Sequence, residues 1–200
     1  GLWDLHAKRM NATLSTAMGG NGGPVPIYGS GGFSPAMGPQ EAAEIAVVHR
    51  ESGFRGVKPR VNAQPSDTAV MHAVRAAVGD DISVMVDANE KGDLMRASRL
   101  LAAAADAGML FVEEPLPARD LLLADTSPVA IAAGEHLQGQ DRFIALMADR
   151  LVSTIQPDLA MAGGLTPCLS VTRSAGAYGL VVAPHFLPGL FVHFAGVGTA

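Results

Sequence analysis

Three acidic residues stand at matching places along the chain. Asp87 ends the apolar run Ile82-Ser83-Val84-Met85-Val86, Glu113 ends Met109-Leu110-Phe111-Val112, and Glu135 follows Val129-Ala130-Ile131-Ala132-Ala133-Gly134. The intervals are 26 residues (113 − 87) and 22 residues (135 − 113). Each is the size of one strand, one helix and two loops. In a parallel barrel the C-terminal tips of successive strands converge on one face, where active sites sit. Carboxylates meeting there repel one another unless a hard cation joins them, and Mg²⁺ suits an all-oxygen set. Asp87, Glu113 and Glu135 are therefore expected as metal ligands. Glu114 should point to the other side of its strand, as a support or a salt-bridge partner.

A second pattern follows. Asp158 and His185 end the next two strand candidates, Leu151–Pro157 and Leu180–Pro184. Neighbouring strands lie about 5 Å apart, so the two side chains can hydrogen bond. A carboxylate on one ring nitrogen fixes the tautomer and leaves the other nitrogen as a base. Lys58 and Arg60 lie two apart at the end of Phe54–Lys58 and can face one side. Both suit a substrate carboxylate. Arg60 keeps its proton and makes a clamp rather than a base. His6, His49, His72, His136 and His193 have no such setting and read as structural or exposed.

The elements that position these residues alternate. Residues 2–18 have helical spacing and end in a glycine turn at 19–24, which lacks the strand and the Gly-Lys-Ser/Thr ending of a phosphate loop. Strand candidates are 25–30, 54–58, 82–87, 109–113, 129–135, 151–158 and 180–185. Helices are expected over 39–52, 66–78, 93–107, 140–149 and 166–178, with Ser66 and Thr166 as caps and Pro167 in the first turn. A short segment covers 120–126, and 187–200 begins a further helix. Alternating β and α elements imply a parallel sheet covered by helices. Polar residues at nearly every strand end favour a TIM-type (β/α)7β-like barrel over an open sheet. The barrel is expected to be incomplete, without its last strand. Residues 1–24 would lead into a barrel domain over 25–200.

Composition narrows the class. With 200 residues, 48% hydrophobic and 16% charged, the chain reads as a globular domain rather than a disordered one. The net charge of −5 argues against nucleic acid as a partner. No apolar run reaches membrane-spanning length. The single Cys168 excludes a disulfide framework and a cysteine zinc cluster, and reads as a small buried residue. The cytoplasm is the expected compartment.

Taken in order, Val57-Lys58-Pro59-Arg60, Val86-Asp87-Ala88-Asn89, Val112-Glu113-Glu114-Pro115, Gly134-Glu135-His136, Gln156-Pro157-Asp158 and Pro184-His185 resemble the enolase superfamily, in its mandelate racemase subgroup. The resemblance covers the barrel portion. It implies that Asp87, Glu113 and Glu135 bind Mg²⁺, that Asp158 and His185 form a proton-moving dyad, and that Lys58 helps to bind a substrate carboxylate. It also implies a homo-oligomer acting on a small sugar acid. The muconate-cycloisomerase subgroup is less similar, because it places a lysine where this chain has Asp158. Arg60 departs from the subgroup, which commonly places a second lysine there as the base for the opposite face. Racemisation needs groups on both faces, whereas dehydration can proceed with His185 alone. The expected activity is dehydration to a 2-keto-3-deoxy acid. Racemisation of a 2-hydroxy acid and a non-catalytic acid binder are the alternatives. The family's N-terminal capping domain, which supplies much of its substrate specificity, and a glutamate after the seventh strand are expected to be absent from this sequence.

Overall fold

The computed structural model describes residues 1–20, 23–124, 126–194 and 197. Asn21 and Gly22 of the expected turn, Asp125 of the short segment, and 195–196 and 198–200 of the last expected helix lie outside the described residues. The chain forms two compact units, Pro26–Ala133 and Gly1–Val25 with Gly134–Ala200.

The first expected helix is two. Helix α1 spans Leu2–Arg9 and α2 spans Leu14–Ala17. Asn11 breaks the run at φ 50, a left-handed position that asparagine tolerates better than most residues. Thr13 restarts it, its hydroxyl accepting from the Thr16 N–H at 3.1 Å.

The unit Pro26–Ala133 contains α3 (Pro39–Glu51), β1 (Gly56–Val57), α4 (Asp67–Val78), β2 (Ser83–Val84), β3 (Val86–Asp87), α5 (Leu94–Asp106), β4 (Phe111–Glu113), a 3-10 turn over Ala118–Ala124 and β5 (Ala130–Ala133). Every pairing is parallel: β1 with β2, β3 with β4, and β4 with β5. β2 and β3 are halves of the one expected strand. Its first half pairs with β1 and its second with β4, and the Met85 N–H between them donates to Val57 O at 3.0 Å. Residues 25–30 do not form the expected strand. With no N–H on Pro26, the run reaches β1 only at Gly29, through one bridge to Val57. Met85, Phe111 and Ala132 form a buried cluster with Tyr28 against it. α3 packs on α4, burying Ala42, Ala46, Val70, Met71 and Val74. Ser66 precedes α4 without a side-chain cap. Asp67 does the local work instead, accepting from the N–H groups of Asn62 and Gln64.

In the other unit the later elements are α6 (Gln140–Ala148), β6 (Thr154–Ile155), α7 (Leu165–Ala177), β7 (Val181–Val182) and α8 (Pro188–Phe191). β6 and β7 pair in parallel. α6 packs on α7 over Phe143, Met147, Val171 and Ala175, all buried. Thr166 is not the cap of α7, because Gly164 precedes the helix at φ 110. Its hydroxyl accepts from the Trp3 indole N–H at 2.9 Å and ties α1 to α7.

Candidate active site

The expected site residues form two groups, one in each unit. In the unit Pro26–Ala133, parallel pairing puts Asp87 in register with Glu113. Arg60 bridges to Asp87 from the other side. Lys58, just past β1, is buried and forms an ion pair with Glu113. Its Nζ lies 5.3 Å from the Tyr28 ring centroid. Burial works against the ammonium, but the negative charges of Glu113 and Asp87 outweigh it and hold the lysine pKa above its ordinary value. The Arg60 guanidinium, half exposed, has Nε 3.4 Å from Asp87 Oδ2. Asp87 Oδ1 accepts from the Asn89 N–H at 2.9 Å. Burial and the Glu113 charge push the Asp87 carboxyl up, against the pull of Lys58 and Arg60. Lys58 and Arg60 thus serve adjacent acids. Glu114 is fully buried with φ 43. Its N–H donates to Ala132 O and its carbonyl accepts from Glu90, so it belongs to the framework of the strand ends.

The second group lies in the unit that contains residues 134–200. Asp158 Oδ1 accepts from the N–H groups of Ala160 at 2.7 Å and Met161 at 3.0 Å. Its Oδ2 accepts from His185 Nδ1 at 2.9 Å. Burial alone would raise the Asp158 carboxyl, but these donors outweigh it and hold the carboxyl below its ordinary value. The expected hydrogen bond between Asp158 and His185 is therefore present, and an ionised carboxylate at that place favours the Nδ1–H tautomer. His185 Nε2 lies 3.1 Å from Glu135 Oε2. Glu135 is buried, and the half-exposed His136 sits 3.6 Å from its other oxygen.

Among the described residues no group of three or more His, Cys, Asp or Glu gathers closely enough to hold an ion. The Glu113 and Asp87 carboxylates are instead engaged by Lys58 and Arg60. The chemistry of the donor set still fits a hard cation. Asp87 and Glu113 in one unit, and Glu135 in the other, are each buried carboxylates, at 2%, 0% and 2% exposure, and each such group is costly without positive charge nearby.

Sequence reasoning missed Tyr28 and Asn89, which touch Lys58 and Asp87. Tyr28 stands near the end of the first strand candidate, the position shared by the other expected site residues. Asn89 follows Asp87 by two residues, so chain position was its only local signal. Cys168 is fully buried. Burial and the Asp158 charge push its thiol up to about 12.

Residues 40–200 match the family model described as enolase C-terminal domain-like, and the chain belongs to that family. Its fold is the family's TIM-barrel-like domain, α/β with parallel strands. The L-talarate/galactarate dehydratase of Salmonella typhimurium LT2 is 33% identical over 202 residues, 97% of this chain and 50% of that protein. Its crystal structure with Mg and L-lyxarohydroxamate superposes with a TM-score of 0.91 at 30% identity, covering 100% of this chain and 52% of that one. The L-talarate dehydratase of Polaromonas sp. JS666, complexed with Mg and L-glucarate, gives 0.86 at 33% identity over 98% of this chain and 56% of that one. A Bradyrhizobium enolase complexed with magnesium and mandelic acid gives 0.88 at 28% identity, over 98% and 56%. The chain spans about half the length of the curated relatives it matches. No helix among the described residues is long and apolar enough to cross a membrane.

Proposed function

We propose that the complete protein is a Mg²⁺-dependent lyase. It removes the proton α to the carboxylate of a sugar acid and eliminates water to give a 2-keto-3-deoxy acid. Residues 25–200 are its barrel domain, and it works as a cytoplasmic homo-oligomer. One observation carries the reading: His185 gives Nδ1 to an anionic Asp158 and leaves Nε2 beside the buried Glu135. The relatives named as acid-sugar dehydratases support it.

Asp158, anchored by two backbone N–H groups, holds the imidazole in one tautomer and one orientation. His185 Nε2 takes the α-proton. That proton returns to the departing 3-hydroxyl, so the C–H and C–O bonds break, water leaves, and the enol product becomes the 2-keto acid. Asp87, Glu113 and Glu135 are the residues that would hold Mg²⁺, which when bound supplies Lewis-acid stabilisation of the charge that develops on the substrate carboxylate. Lys58 and Arg60 add fixed positive charge toward that carboxylate. Arg60 cannot act as a second base, which disfavours racemisation.

The test uses galactarate, from the name of the Salmonella relative. His185→Asn in the complete protein is expected to lower 2-keto acid formation by about 10²- to 10⁴-fold and to abolish any exchange of the C-2 proton of recovered substrate with solvent deuterium. Undiminished dehydration would remove His185 from the role of base.

A further inference from the structure

Two residues after His185 hold unusual backbones, Phe186 at φ 54 and Leu187 at φ 45. Neither is glycine or asparagine, so the left-handed region is strained for both. The Phe186 ring lies stacked on the His185 imidazole, with centroids 5.9 Å apart and planes at 27°. Yet Phe186 is 71% exposed. Phe191 and Phe194, a few residues on, are by contrast buried, with centroids 5.7 Å apart. A phenyl face left in water forgoes the gain of burial, and this one is held beside the base.

We propose that Phe186 is a specificity-determining residue: its free face packs on the C–H edge of the substrate's carbon chain beside the bond that His185 breaks. This rests on the function proposed above. A polyhydroxy acid shows C–H groups on one edge and hydroxyls on another. A phenyl face accepts the first and offers the second no hydrogen-bond partner, which penalises a stereoisomer that turns a hydroxyl toward it. The ring thus reads configuration along the chain.

The experiment uses the complete protein with Mg²⁺ and galactarate, comparing wild type, Phe186→Gly and Phe186→Trp. Glycine removes the ring and suits the left-handed backbone, so loss of fold does not confound it. Phe186→Gly is expected to raise KM and the calorimetric Kd about tenfold or more, with kcat within about threefold and no fall in Tm. Phe186→Trp keeps an aromatic face and is expected to hold KM within about threefold of wild type. An unchanged KM and Kd in Phe186→Gly overturns the proposal, as does a fall in kcat alone. Wild-type protein that binds galactarate but converts no acid of a mono- and diacid sugar panel overturns the lyase reading, and the Kd ratio then still decides Phe186. No acid of that panel bound or converted by the wild type overturns both.

Discussion

At the scale of single residues, the proposed preference for elimination over racemisation rests on Arg60. Its guanidinium lies 3.4 Å from Asp87, and a guanidinium supplies charge and makes a poor base. Arg60→Lys puts a titratable amine at that position. We expect recovered substrate from the variant to show exchange or inversion at C-2 about tenfold or more above wild type, read by NMR in D₂O. No change would mean that this position does not face the α-carbon. Cys168 makes a contrasting residue. It is fully buried, its thiol is pushed up to about 12, and its S–H donates to Asp158 O with Sγ 3.8 Å away. Peptide mapping after treatment with a thiol reagent at pH 8 should find it unmodified in the native protein and labelled after unfolding. Labelling of the native protein would contradict its place in the core.

At the scale of elements, strain gathers where the strands end. Among the described residues eight non-glycine residues have positive φ. Asn89 and Glu90 follow Asp87, Glu114 follows Glu113, Phe186 and Leu187 follow His185, and Ala63 follows Arg60 by three. Such positions persist where the surroundings over-determine them, and they cluster at functional sites. Gly134 serves Glu135 in the same way. It sits at φ 126, and a Cβ there would stand 3.2 Å from Phe143 Cε1 and 3.3 Å from the Gln156 amide nitrogen. Gly134→Ala should cost about 1–3 kcal/mol in thermal denaturation and weaken Mg²⁺ binding by moving Glu135. A wild-type Tm would remove the strain argument. The acids and the dyad were legible in sequence because an apolar run ending on a charged residue is a local signal. The split of the Asp87 strand between two neighbours was not, since pairing depends on chain far away. Nor was the failure of Thr166 as a cap, which follows from Gly164 and from Trp3. Pro26 did carry a local warning against the first strand, and the apolar pattern around it masked that.

For the whole molecule, the parallel α/β plan was readable from the alternation of elements, and the family match over residues 40–200 agrees with it. The pairing of Lys58 with Glu113 was hidden from the sequence, because both the ligand role and the ion pair call for a charged residue at a strand end. The catalytic account therefore turns on whether a cation and a sugar acid bring these charges into one reaction. The decisive measurement screens the complete protein against mono- and diacid sugars with Mg²⁺, detecting 2-keto acids, with EDTA as control. The account predicts at least one acid converted, activity falling to background in EDTA, and recovery on adding Mg²⁺ back. Conversion that survives EDTA would contradict the metal-assisted lyase. So would α-proton exchange across the panel with no keto acid formed, and that result would place the protein among the racemases.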